Sequence, residues 1–255
     1  MRTAKTGKAI TSHSHAPKMK ESDSVYFSPH TFERGNISSS TGYNYGMKKY
    51  ILFDNDGVLV ETEKWYFNAN VEILKGMGIH LSEERYREIM IKGQSAFLLA
   101  EERGFDTLSV EKARDKRNEL YQHYIRTEEI EIKGVRSVLD ALSKKYEMGI
   151  VTSSRREDFE LIHASLGMTD YMKFVLCSGE YARSKPHPDP YLKGLALFGG
   201  EKHEAIVVED SQRGLRSAVN AGIECAVVHN HFTSSHDFSD ATHRIKCLEE
   251  LERLL

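Results

Sequence analysis

The sequence is poor in cysteine: three in 255 residues, an odd number with no paired spacing. That excludes a disulfide framework of the secreted type. Cys177 and Cys225 sit in apolar runs, where a small buried thiol is the default, so a reducing, cytoplasmic setting is expected. No stretch of 18 apolar residues occurs and no secretory signal is visible, so no membrane span is expected. Charge of one sign is also missing. A formal net charge of −3 gives no footing for a nucleic-acid partner. What is present is a chain 40% hydrophobic and 29% charged, enough for one sizeable core or a core with a smaller domain.

Residues 1–46 stand apart. They hold eight Ser and five Thr, few aliphatic residues, and six basic against three acidic side chains. No helical or strand period runs through them, so they are expected to be a disordered extension. The acid-free residues 1–20 leave an organelle-targeting peptide as the alternative, and Met47 reads as a candidate start. His13 and His15 are not expected to hold a metal from such a tail.

From Met47 the pattern alternates. Short apolar runs at 49–53, 147–152, 173–177, 205–208 and 224–228 read as strands, and 156–167, 188–198 and 211–221 read as helices between the last four. Strand and helix in alternation imply an α/β fold, a doubly wound parallel sheet covered on both faces. The interval 62–133 breaks the rhythm with helical periods at 63–77, 82–91, 94–103 and 109–126. It reads as an inserted all-helical cap on a core made of 47–61 and 134–255. A helical insert beside a site loop suits a lid.

Chemistry concentrates where strands end. Residues 51–60 run Ile-Leu-Phe-Asp-Asn-Asp-Gly-Val-Leu-Val. Residues i and i+2 of a strand share a face, so Asp54 and Asp56 are brought side by side. Two close carboxylates need a cation or a proton, which implies a bound metal, acid/base chemistry, or both. A calcium loop would need Glu at its twelfth position, and that position is Trp65. Thr152-Ser153-Ser154 closes the next run; a hydroxyl with following N–H groups suits a phosphate oxygen, and Ser154 is placed to cap the helix at 156. Three prolines at 186, 188 and 190 stiffen the loop that presents Lys185. Glu209 and Asp210 repeat the acidic strand end, with Ser211 as the cap of the next helix. Oxygen-only ligands select Mg²⁺ or a similar hard ion. His229, His231 and His236 follow the last run and read as a solvated loop.

Taken in this order, Asp54-Asn55-Asp56-Gly57-Val58, Thr152, Lys185 and Glu209-Asp210 resemble the four signatures of the haloacid dehalogenase superfamily. The likeness is to its phosphatase branch, with a helical cap of the β-phosphoglucomutase-like type, and it covers about 47–255. The resemblance implies a Rossmannoid core and a Mg²⁺-dependent phosphomonoesterase acting on a small phosphorylated metabolite such as a sugar phosphate. It implies Asp54 as nucleophile, Asp56 as acid and base, Thr152 and Ser153 on the phosphoryl oxygens, and Lys185 as the neutralising charge. Asp54, Asp56, Glu209 and Asp210 would hold the metal. In the cap, Gln94, Ser95, Arg117 and Asn118 would meet the substrate. Tyr66 and Ala96 stand where the mutases carry a histidine and an arginine, which argues against the alternative of a hexose-phosphate mutase. A non-catalytic phosphometabolite-binding protein is the third reading, disfavoured because every catalytic side chain is in place.

Overall fold

The computed structural model describes residues 47–255; the expectations for 1–46 lie outside the described residues. Six parallel strands form one sheet in the order β3-β2-β1-β4-β5-β6. They are β1 (Tyr50–Phe53), β2 (Glu147–Val151), β3 (Met172–Leu176), β4 (Ala205–Glu209), β5 (Glu224–Val228) and β6 (His243–Ile245). The first five lie within a residue or so of the apolar runs. Three-residue β6 is an addition, too short and too polar to announce itself.

Both faces of the sheet are buried, because successive side chains of each strand point to opposite sides. Ile51, Phe53, Ile206 and Val208 pack with α5 (Val135–Ser143) and α6 (Arg156–His163) through Val138, Leu139, Phe159 and Ile162. Leu52, Ala205 and Val207 pack on the other side with α7 (Asp189–Phe198) and α8 (Gln212–Ala221) through Tyr191, Leu195, Leu215 and Ala218. The chain winds to one side of β1 through β2 and β3, and to the other through β4 and β5. Ligands of such sheets bind at this switch, beyond the carboxyl ends of the strands.

Between β1 and α5 run four helices: α1 (Glu63–Gly76), α2 (Glu83–Ile91), α3 (Leu98–Glu102) and α4 (Thr107–Thr127). Ser82 caps α2 by accepting from the Arg85 N–H, and Asp106 caps α4 by accepting from Ser109 at 2.9 Å. The third helix is shorter than its sequence period. The segment enclose their own apolar cluster of Leu74, Ile79, Leu81, Tyr86, Ile89, Phe97 and Val110. The separation is incomplete, since Ala69 of α1 and Tyr121 and Ile125 of α4 join the cluster under the sheet. No helix among the described residues is long and apolar enough to cross a membrane.

Candidate active site

The last residues of β1, β2 and β4 and the loop before α7 meet at the switch. Lys185 is 5% exposed, and its ammonium donates to three oxygens: Asp54 Oδ1 at 2.6 Å, Glu209 Oε1 at 2.7 Å and the Val151 carbonyl at 2.9 Å. That uses all three of its protons. Burial works against its charge, but Asp54 and Glu209 outweigh it and hold the lysine above its usual range. Asp54 Oδ1 is thereby engaged, which leaves Oδ2 for another partner. Burial pushes Asp54 up to about 7; Lys185 opposes this, and Glu209 and Asp56 add to it.

Asp54, Glu209 and Asp210 each bring a carboxylate oxygen to within 4.8 Å of the others, and all three are buried. Their states differ. Glu209 is saturated: Oε1 accepts from Lys185 and from the Tyr191 hydroxyl at 2.6 Å, and Oε2 accepts from the Asp210 and Ser211 N–H groups and the Ser211 hydroxyl. Asp210 is pushed well above the carboxylate range, by burial first and then by Glu209 and Asp54. A buried all-oxygen cluster whose free acids resist ionisation fits a hard divalent cation. Asp54 and Asp210 are the side chains with oxygens to spare. Glycine keeps the space open: a Cβ at Gly57, where φ is +81°, would lie 2.2 Å from Asp210 Oδ2.

The Asp56 side chain stands outside that cluster. Its Oδ1 accepts from the Thr62 hydroxyl, and its Oδ2 from the Ser154 hydroxyl at 2.6 Å, from Thr152 Oγ1 at 3.3 Å and from Asn55 Nδ2 at 3.4 Å. Ser154 therefore does not cap α6, as its position had suggested. The helix begins without a side-chain cap, and the hydroxyl is drawn to the closer carboxylate. Asn55 is fully buried, and its Oδ1 lies 2.7 Å from His163 Nε2. The amide oxygen accepts, so that ring nitrogen carries the proton. Burial drives His163 down to about 4. Neither Asn55 nor His163 stood out in the sequence; only the fold brings residues 108 positions apart into contact.

These groups floor a cavity of about 510 Å³ roofed by α1, α2 and α4. Asp54, Asp56, Thr152, Ser153, Lys185 and Asp210 line it, and so do Arg117 and Asn118 from α4. Gln94 and Ser95 do not. They lie exposed in the turn between α2 and α3, where Ser95 Oγ accepts from the Phe97 N–H. Glu209 lies behind the lining, turned to Lys185. The loop after β5 corrects the expectation of a solvated segment: Phe232, Thr233 and His236 line the cavity. His236 accepts at Nδ1 from the Gln212 N–H at 3.2 Å, and burial holds it near 4. Glu63, raised by burial to about 7, accepts from the Tyr86 hydroxyl on the roof.

The family model for haloacid dehalogenase-like hydrolases matches residues 51–228, the span from β1 through β5. The chain belongs to this family. This hydrolase is 30% identical over 190 residues to the phosphorylated carbohydrates phosphatase of Thermotoga maritima, across 71% of this chain and 85% of that one. It is 27% identical over 188 residues to the phosphoglycolate phosphatase of Aquifex aeolicus, across 70% and 84% of the two chains. Its fold resembles that of CbbY from Rhodobacter sphaeroides, solved in complex with phosphate, with a TM-score of 0.68 at 24% identity over 80% of this chain and 96% of that one.

Proposed function

We propose that this hydrolase is a Mg²⁺-dependent phosphomonoesterase that releases phosphate from a small phosphorylated metabolite through an aspartyl-phosphate. The observation that carries the reading is the Lys185 ammonium bonded to Asp54 while Asp54 Oδ2 stays available beside Asp210. Asp54 attacks phosphorus through its carboxylate, the bond from phosphorus to the alcohol oxygen breaks, and the alkoxide leaves. Asp56 gives the departing oxygen its proton, then takes one from the water that attacks the aspartyl-phosphate. Thr152 and Ser153 face the transferring group from the end of β2. Lys185 balances the charge where anion meets anion, which is the main task in phosphoryl transfer. Mg²⁺, when bound by Asp54, Asp210 and the main chain at Asp56, supplies the charge that keeps both carboxylates ionised and offsets the phosphoryl oxygens.

Residues 62–133 act in this reading as a cap over a core of 47–61 and 134–255, with Arg117 and Asn118 toward the substrate. Tyr66 supports hydrolysis over phosphosugar isomerisation. At the place of a mutase histidine it carries a ring packed edge-on to Tyr121 and beneath Arg117. The purified chain with Mg²⁺ is expected to release phosphate from p-nitrophenyl phosphate, and Asp54→Asn to lower the rate at least ~1,000-fold, as loss of a nucleophile does. Release that survives Asp54→Asn sinks the mechanism.

A further inference from the structure

The arginines on the cavity walls are not alike. Arg87 pairs with Glu83, Arg114 with Glu101 at 2.9 Å, and Arg155 with Asp158 at 2.8 Å. Arg213 donates to the Lys185 carbonyl. Arg117 is the buried one, 8% exposed, and among the described residues it joins no ion pair. Its partners are neutral. Nε donates to Asn118 Oδ1 and Nη1 to Asn70 Oδ1, each at 3.0 Å. The guanidinium carbon lies 4.3 Å from the Tyr66 ring centre and 5.7 Å from that of Phe97. Asn70 is fully buried and spends its own N–H on the Tyr66 carbonyl at 2.7 Å, which turns its oxygen to Arg117.

Arginine stays charged under all ordinary conditions. A buried cation needs a counter-anion, and neutral amides orient it without neutralising it. The acids on the same walls are engaged elsewhere: Glu63 by Tyr86, and Asp158 by Arg155 and Gln122. The amide on each side and the ring beneath hold the guanidinium in one pose, so little is lost in freezing it.

We infer that the substrate brings the missing anion: the leaving alcohol of the phosphomonoester carries a carboxylate or a second phosphate, and Arg117 selects it. This rests on the phosphatase reading above. A neutral sugar phosphate would leave Arg117 uncompensated in the cavity, and would be disfavoured for that reason.

Binding to the Asp54→Asn protein with Mg²⁺, measured by calorimetry, tests this apart from turnover. One ligand series has three carbons: glycerol 3-phosphate, 3-phosphoglycerate and glycerol 1,3-bisphosphate. The other has six: glucitol 6-phosphate, 6-phosphogluconate and glucitol 1,6-bisphosphate. In at least one series a doubly anionic member is expected to bind about 100-fold tighter than the neutral one, the scale of a desolvated charge pair. Whether the carboxylate or the bisphosphate member gains identifies the anion. Arg117→Met is expected to cut that ratio below about 5-fold, with Arg117→Lys between. Neutral members that bind as well in both series, or a ratio that survives Arg117→Met, overturn the inference. If Arg117→Met does not fold, the wild-type ranking and the Lys variant decide. A chain that keeps an Arg117-dependent ratio but never releases phosphate would sink hydrolysis and leave this inference standing. A phosphatase with a ratio of one would do the reverse.

Discussion

His163 shows what one buried side chain contributes. Its Nε2 serves Asn55, its ring packs against Phe159 with centres 4.3 Å apart, and its Nδ1 is buried without a partner. With no acceptor for a second proton, the ring stays neutral down to about 4, against an ordinary value of 6.5. The unfolded chain takes up that proton between pH 6.5 and 4 and the folded chain does not, so lowering the pH through this window favours unfolding. The contribution is complete above pH 6.5 and is lost by about pH 4, a change of roughly 3 kcal/mol. His236, held near 4 as well, acts with the same sign. Urea midpoints between pH 4 and 7 are expected to fall less steeply in His163→Gln than in wild type. Parallel curves would refute the assignment. Asp54 and Asp56 were legible at this scale because carboxylates at i and i+2 of a strand end are costly without a purpose. Asn55 lay between them with no signal of its own, since its role depends on a histidine from another helix.

Elements were legible where a period was strong and the ends were marked. Helix α8 starts one residue after the expected position because Ser211 itself is the cap, accepting from the Gly214 N–H at 3.1 Å. Helix α5 and strand β6 had no place in the expected order, and Gly134 opens α5 without a side-chain cap. The segment after β5 defied its composition. Its Ser, Thr and His suggested solvent, yet Phe232 packs into the insert's apolar cluster and faces Phe67 at 6.0 Å. Arg87 of α2 reaches His231 at 3.1 Å and Ser234 at 3.4 Å. This loop therefore ties the helical roof to the floor. Phe232→Ala is expected to cost about 1–2 kcal/mol, less than the 3–5 of a fully enclosed Phe because this one is half-buried. The loss should appear as faster amide exchange in α2 and a KM that rises more than kcat falls. Unchanged exchange in α2 would argue against the tie.

For the whole molecule, the sheet order decides where chemistry can occur. With β1 between β2 and β4, the ends of these three strands share one crevice. Asp54 and Asp210 are buried there, beside the already satisfied Glu209, at a cost that a cation would relieve. Mg²⁺ at about 100 times its Kd should add about 2.7 kcal/mol to stability. For a domain of this size that is a rise in Tm of roughly 5–10 °C. Scanning calorimetry with Mg²⁺ against EDTA should show the shift in wild type and lose it in Asp210→Asn. An identical Tm in both buffers would remove the metal site from the account.

The sequence by itself determined the alternation of strands and helices, the helical insert, the acids and hydroxyl at the strand ends, and the lysine in the proline-stiffened loop. These follow from periodicity and from the cost of placing charge beside apolar runs, both local properties. Tertiary structure alone decided which acid is spent on Lys185 and which stays free, that Ser154 serves Asp56, and that Gln94 and Ser95 lie outside the cavity lining. It also decided that Arg117 is buried without an anion. Those outcomes depend on burial and on partners distant in the chain, and neither is written in any local stretch of residues.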